Sequence, residues 1–229
     1  MKNSFTILIF ILFFSHSAFS QDFSIGLKGG VNYGFGGEIV AEPYITFKGS
    51  TFHSKSKQGF NGGVFAQLNY DRFFFRLEGL YNTMQSEFQF PKEPYIYKIE
   101  KINVPLLIGY HVFEPFDVYI GPGLAHVLGE ATLEKEQSRQ GKIPMAANHL
   151  YASLGVKAHF GRFEADLRYE HSFTSTEDLA ITMDYNSSGV GPAIFTNRRI
   201  NQITLDVSLI LFDSKYRPQK SRSRGCYFR

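Results

Sequence analysis

Strict alternation of apolar and polar residues is the feature that most constrains how this chain can fold. From Arg162 to Glu170 the sequence RFEADLRYE places a charged residue at every odd step and an apolar one between. A period of two puts the two classes on opposite faces of a β-strand. Comparable runs occur at 23–33, 60–70, 73–82, 102–110, 117–128, 149–160, 162–170 and 202–211, and the Gly-rich fifth run has an ambiguous phase. About eight strands of about ten residues are the smallest set that forms a membrane-crossing barrel.

The connections between these runs alternate in length. Short links join the runs at 69–72, at 113–115 and at Gly161, whereas the other links are long and cover 35–57, 85–94, 129–146 and 174–199. In an antiparallel meander this places every long loop at one end and every short turn at the other. Outer-membrane barrels have short periplasmic turns and longer extracellular loops, which would put both termini in the periplasm.

The charges indicate which face of the strands points outward. Residues of both signs lie within the runs: Arg76, Glu78, Glu164, Asp166, Arg168 and Asp206. Inside a narrow barrel they can pair, and the apolar face then meets lipid. Aromatic residues at strand ends predict two interfacial girdles: Phe23, Tyr70, Phe73, Phe116, Phe160, Phe163 and Phe212 at one rim, and Tyr33, Phe60, Tyr81 and Tyr169 at the other. The alternative is a soluble lipocalin-like barrel, which has the same period around an apolar interior.

The N-terminal segment has the three zones of an export signal. A basic start at Lys2 precedes the apolar run 5–14, and small residues at Ala18 and Ser20 predict cleavage ahead of Gln21. The apolar run is too short for a stable anchor, although an uncleaved anchor is the alternative interpretation. No other stretch has the length and apolarity of a transmembrane helix. We therefore predict a signal peptide at 1–20, a barrel domain at 21–212 and a basic, disordered periplasmic tail at 213–229.

The composition argues against several classes of protein. The formal net charge of +3 gives no indication of a nucleic-acid partner. Cys226 is the one cysteine, so neither an internal disulfide nor a thiolate metal centre can form. A chain so poor in cysteine fits the bacterial envelope better than the class of disulfide-stapled secreted domains.

The sequence also resembles a known family over about residues 23 to 212. In order, SIGLKGGVNYG, FFRLEGLYNT, INVPLLIGY, VYIGPGLAHVLG and FEADLRYEHSFTSTED are similar to the PorT-like outer-membrane β-barrels of Bacteroidota-type bacteria. The more distinctive parts are Val104–Leu107 and Gly121–Gly123. The resemblance implies an eight-stranded outer-membrane barrel without known enzyme activity, whose founding member is associated with protein secretion. One departure is that the chain continues past Phe212, where such barrels usually end.

The sequence predicts no catalytic, cofactor-binding or metal site. The histidines of the mature runs lack HExxH or similar spacing: His111, His126, His149, His159 and His171. His149 and His159 are expected on the interior face as polar filling. The stretch 26–30 lies within a strand and opens no helix, so it is not a phosphate loop. The group formed by Arg76, Glu78, Asp166 and Arg168 is either an interior ion-pair network or a selectivity site, and the narrow lumen favours the network.

These observations predict an all-β protein, an eight-stranded antiparallel up-and-down transmembrane β-barrel with short periplasmic turns and long extracellular loops. The predicted function is a non-enzymatic, structural or accessory role in the cell envelope, linked to protein secretion through the resemblance. The predicted partners are the outer-membrane lipid bilayer and envelope or secretion-system proteins, with no nucleic acid and no cofactor. A small-solute channel and a soluble periplasmic binding barrel are the alternatives. The basic tail is a solvated extension or a contact for anionic cell-wall polymer or a periplasmic partner.

Overall fold

The computed structural model describes residues 22–41, 50–135, 142–143, 145–174, 178–183, 185–197 and 199–215. The predicted signal peptide and most of the basic tail lie outside this part of the chain. Within it, the strands are β1 Asp22–Phe35, β2 Glu38–Ala41, β3 Thr51–Tyr70, β4 Phe73–Gln89, β5 Pro94–Phe113, β6 Phe116–Val127, β7 Ala131–Lys135, β8 Lys142–Ile143, β9 Asn148–Phe160, β10 Phe163–Ser172, β11 Leu179–Thr182, β12 Pro192–Thr196 and β13 Asn201–Asp213. A one-turn helix, α1, covers Tyr185–Ser188.

Eight of these strands form a closed antiparallel ring in the order β1, β3, β4, β5, β6, β9, β10, β13. The ring closes at β1, where Leu27 is in register with Val64 of β3 on one side and Leu209 of β13 on the other. Closure gives every barrel strand two partners and therefore pairs the backbone groups that lipid could not satisfy. The predicted fold class is confirmed, and each predicted run lies on one of these eight strands.

Three tight turns define one end of the barrel, which we call the short-turn end. They connect Tyr70 to Phe73, Phe113 to Phe116 and Phe160 to Phe163. Gly161 lies in the third turn with φ of 67°, a left-handed conformation that glycine adopts without a steric penalty. The opposite end carries the long connections, and we call it the long-connection end.

The long connections contain more regular structure than predicted. β3 begins at Thr51, and β4 and β5 continue past the barrel to a hairpin between Gln89 and Pro94. The short strands extend this sheet on two sides, in the order β11, β12, β2, β3 and in the order β5, β7, β8. Segments expected to be irregular loops therefore build a sheet extension at the long-connection end.

The outward face of the barrel is a continuous apolar surface. Leu167 and Leu205 are 53% and 56% exposed, although both lie in the middle of paired strands. Aromatic side chains border this surface at the two predicted rims: Tyr70, Phe73, Phe116, Phe160, Phe163 and Phe212 at the short-turn end, and Tyr33, Phe60, Tyr81 and Tyr169 at the other. Among the described residues, no helix has the length and hydropathy needed to cross a membrane.

Candidate functional site

The barrel interior is lined by charged and polar side chains, and it is the candidate functional site. Each barrel strand directs its polar alternate residues inward, where period two places them all on one side. The described residues include five buried cations and six buried carboxylates: Lys28, Arg76, Lys101, Lys157 and Arg168, and Glu78, Asp117, Glu164, Asp166, Glu170 and Asp206. The lipocalin-like alternative is wrong, because a lumen lined by these charges is not an apolar cavity and most apolar residues of the barrel strands point outward.

Glu78 is the hub of a network in the middle of the lumen. Its Oε2 accepts a hydrogen bond from Nη2 of Arg168 at 2.8 Å, and its Oε1 lies 3.3 Å from Nζ of Lys28 and 2.8 Å from Nε of Arg76. These residues come from β1, β4 and β10, so the network crosses the interior. Buried charges need partners of opposite sign, and this arrangement supplies them, while Nε of Arg76 and Nη1 of Arg168 have no hydrogen-bond partner among the described residues.

Asp166 extends the same network toward β6 and β13. Its carboxylate accepts hydrogen bonds from Nζ of Lys28 and from the hydroxyl of Tyr119. The Tyr119 hydroxyl accepts in turn from Nε of Arg168 at 3.0 Å, and Lys28 lies 3.3 Å from Asp206. Arg76, Glu78, Asp166 and Arg168, grouped by the sequence, are thus in one network, and the interpretation as interior ion pairs describes their contacts.

A second network lies nearer the short-turn end. Glu164 accepts hydrogen bonds from Nη1 of Arg76 at 2.6 Å and from Nζ of Lys157 at 3.0 Å. Two buried rings cover these cations: the Arg76 guanidinium lies 3.6 Å from the centroid of the Phe65 ring, and Nζ of Lys157 lies 4.2 Å from that of Phe74. Cation–π contacts of this kind strengthen when water is excluded.

Nearer the long-connection end the lumen stays polar but carries fewer ion pairs. Glu170 accepts hydrogen bonds from the side-chain amides of Asn103 at 3.0 Å and Gln202 at 2.6 Å. The hydroxyls of Tyr151 and Ser153 are buried without a hydrogen-bond partner among the described residues. This layer therefore retains unused hydrogen-bonding capacity at these two hydroxyls.

An apolar cluster, which we call the cap, closes the long-connection end. Its buried members are Ile39, Ala41, Met84, Phe88, Phe90, Tyr95, Tyr97, Ile99, Val127, Ala131, Leu133, Ile143, Met183, Val190, Ala193, Phe195 and Ile200. The Phe88 ring packs edge-on against Phe195, with 5.6 Å between centroids, and Tyr97 packs against Phe195 at 5.2 Å. The cap is the larger of the two apolar clusters of the described residues, since the barrel interior holds only Phe74, Leu107 and Tyr119 as a buried cluster.

Charged residues cover the outside of this extension. Nζ of Lys57 lies 2.7 Å from Oε2 of Glu87 on the neighbouring strand. The hydrogen bond from Lys57 favours the ionised form and lowers the pKa of the Glu87 carboxyl. Such a water-facing ion pair marks β4 beyond Tyr81 as a part of the strand that lies outside lipid.

The structure resolves what the sequence left ambiguous in β6. Asp117 and Tyr119 point into the lumen, whereas Val118 and Ile120 point outward. Tyr119 was missed as an interior group because an isolated tyrosine fits either face. Lys28 and Lys157 were missed from the network although each lies on the predicted polar face. His149 is buried in the interior, and His159 lies at the short-turn rim of the lumen.

The match to a family model agrees with this architecture. The family model described as outer membrane protein β-barrel domain matches residues 19–178. The solved structure of outer membrane protein OprG from Pseudomonas aeruginosa is similar over 82% of this chain and 95% of that chain, with 12% identity and a TM-score of 0.50. The solved structure of Neisserial surface protein A is similar over 81% of this chain and 96% of that chain, with 13% identity and a TM-score of 0.43. No curated protein sequence matches the chain.

Proposed function

Because this chain belongs to the outer membrane protein β-barrel domain family, we propose that it is a closed, non-conducting and non-enzymatic component of the bacterial outer membrane. The observation that carries the proposal is the network around Glu78, which joins β1, β4 and β10 across the lumen. An eight-stranded barrel is just wide enough for side chains to fill its interior. The cap adds a second, apolar obstruction at the long-connection end.

Conductance in planar lipid bilayers tests this proposal. The mature protein, refolded and inserted, is expected to produce no stable conductance steps, because neither the ion-pair layer nor the cap offers a continuous wet path. A triple variant that combines Glu78→Ala, Arg168→Ala and Phe88→Ala weakens both the ion-pair layer and the cap, and it should raise the conductance. Leu205→Ala, on the lipid face, is the matched control. Steady ohmic steps from the unaltered protein would instead support the alternative of a small-solute channel.

We further propose that the short turns and both termini face the periplasm, as they do in outer-membrane barrels generally. The test uses single cysteines in a Cys226→Ser background and a membrane-impermeant maleimide on intact cells. A cysteine in place of Lys92, exposed at the β4–β5 hairpin, should be labelled. A cysteine in place of Arg72, exposed in the β3–β4 turn, should be labelled only after the outer membrane is permeabilised. The reverse pattern would invert the orientation.

An accessory role in protein secretion is the finer form of the proposal. It rests on the resemblance of the sequence to the PorT-like barrels alone. Deleting the gene and measuring the proteins displayed at the cell surface and released into the medium tests it. Loss of secreted proteins, with restoration by the unaltered gene, is the expected result. Unchanged secretion would leave a purely structural role in the envelope.

A further inference from the structure

Three potential metal ligands meet at the short-turn rim of the lumen. They are His111 near the end of β5, Asp117 at the start of β6 and His159 near the end of β9. Nδ1 of His111 lies 2.6 Å from Oδ1 of Asp117, and Nε2 of His159 contacts Oδ2 of the same carboxylate. One ligand atom from each residue can be chosen so that all lie within 4.8 Å of one another.

We propose that these three side chains bind one divalent transition-metal ion of the zinc class. Imidazole nitrogens and a carboxylate oxygen are ordinary zinc ligands, and ligand atoms about 2 Å from the metal lie within about 4 Å of one another. Binding requires the Asp117 carboxylate to move from bridging the two rings, where its oxygens contact the ring nitrogens directly, to presenting one oxygen to the ion. Three protein ligands leave a fourth position open to solvent.

Glu164 supplies the support that metal-bound histidines usually have. Its Oε1 lies 3.3 Å from Nδ1 of His159, on the side of the ring away from Asp117. In the tautomer with the proton on Nδ1, facing this carboxylate, the lone pair of Nε2 is directed at Asp117. A lone pair and a carboxylate oxygen repel each other unless a cation lies between them. Carboxylate–histidine–metal arrangements use this geometry to fix the tautomer and orient the ring.

The site is open on one side and closed on the other. The side chains of His111 and His159 are 34% and 29% exposed, whereas that of Asp117 is 3% exposed. The Phe74 ring packs 5.5 Å from the His111 ring on the buried side of the site. An ion can therefore reach the ligands from solvent at the short-turn end without crossing the networks.

Lys157 is the nearest competing cation. Its Nζ lies 3.7 Å from Oδ2 of Asp117 but only 3.0 Å from both Glu164 and Gln67. It is thus held mainly by other partners, and Asp117 keeps an oxygen for a ligand. The described lumen also contains one more buried carboxylate than buried lysines and arginines together. A bound cation would offset that excess.

Zinc binding to the refolded mature barrel, prepared without a polyhistidine tag, tests the proposal. Isothermal titration with Zn²⁺ should give one ion per barrel, and Co²⁺ should give the visible absorption of a low-symmetry N/O site. His111→Ala and His159→Ala should each weaken Zn²⁺ binding by more than about tenfold, since even outer-shell partners contribute about 10–100-fold. His171→Ala is the control, because His171 lies on the outside of the barrel near Tyr169 and Phe173.

Each result of the zinc titration either supports or overturns the proposed site. Binding that is absent, or that weakens equally in the control, would overturn the proposal and leave His111 and His159 as hydrogen-bond partners of Asp117 alone. Heat-modifiable mobility on gels checks that each variant folds. If an alanine variant fails this check, Asp117→Asn, which preserves the side-chain volume, replaces it. Unchanged Zn²⁺ binding in a folded Asp117→Asn protein would also overturn the proposal.

Discussion

Nη2 of Arg168 on β10 lies 2.8 Å from Oε2 of Glu78 on β4, on strands that are not neighbours in the barrel. The two residues are 90 apart in the chain. Both side chains are almost fully buried, so neither charge can exchange its partner for water. A single substitution at either position therefore removes a partner from several buried charges at once.

Glu78→Gln should destabilise the barrel by about 3–5 kcal/mol, because Arg168, Arg76 and Lys28 lose a shared carboxylate. The double variant with Glu78→Gln and Arg168→Met should lose less stability than the two single variants lose in sum. The difference, the coupling free energy, should be about 1 kcal/mol or more. Reversible urea unfolding in the presence of phospholipid vesicles provides the free energies. Glu78→Gln combined with Lys57→Met, outside the lumen, is the additive control. Strict additivity of the first pair would contradict the network.

Leu167 and Arg168 test which face of β10 meets lipid. Leu167 is 53% exposed on the outer surface and Arg168 is 1% exposed in the lumen. Leu167→Arg should cost about 2–4 kcal/mol near the bilayer midplane and impair insertion. Arg168→Gln should insert normally but lose stability, because Glu78 and Asp166 lose a partner. In a Cys226→Ser background, a cysteine at position 168 should resist water-soluble thiol reagents. Ready labelling there, with no change in stability, would argue against this orientation.

Two barrel glycines, Gly109 on the inward face of β5 and Gly79 on the outward face of β4, should respond oppositely to alanine. A Cβ at Gly109 would lie 2.0 Å from Cζ of the buried Phe74, whereas a Cβ at Gly79 would meet nothing within 4 Å. Gly109→Ala should therefore cost about 1–3 kcal/mol through overpacking. Gly79→Ala should be neutral or stabilise by up to about 1 kcal/mol, because it restricts the unfolded chain. Urea unfolding compares them, and equal effects would mean that Phe74 moves freely.

Phe88→Ala should loosen the cap without opening the barrel ring. Phe88 packs against Phe90, Tyr97 and Phe195, all of them beyond the lipid-facing surface. Loss of this ring should remove about 3–5 kcal/mol of packing from the extension alone. Limited proteolysis should then cut the long connections faster, while the gel mobility of the unheated barrel is retained. Phe60→Ala on the lipid face is the control and should leave the proteolysis rate unchanged.

The mature protein should begin at Gln21. Small residues at Ala18 and Ser20 after the apolar run 5–14 are the basis of this prediction. Intact mass of the protein purified from the outer membrane measures it directly. Ala18→Leu should slow processing, because the enzyme that removes signal peptides requires small residues near the cut. A purified protein that still contains the run 5–14 would show an uncleaved anchor.

One pattern in the sequence could have predicted the sheet extension. Along β4 the inward side chains change from polar Asn82 to apolar Met84 and Phe88, while the outward ones change from Tyr81 to Glu87. β5 shows the same reversal, since Tyr97 and Ile99 point inward and Ile102 points outward. The period continues without interruption, and only the polarity of the two faces is exchanged. The reversal marks where each strand leaves lipid. Because the prediction assumed one polarity for each face, it ended the strand early and made 85–94 a loop.

The sequence by itself determined the eight barrel strands, the faces of all of them except β6, and the two ends of the barrel. These properties are local, because period two assigns a residue to a face and link length assigns a turn to an end. Only the tertiary structure decided which inward residues share a level. Glu78 meets Arg168, and His111 meets His159 around Asp117, through the stagger of strands in a closed ring. That stagger depends on all eight pairings together, so no stretch of sequence encodes it alone.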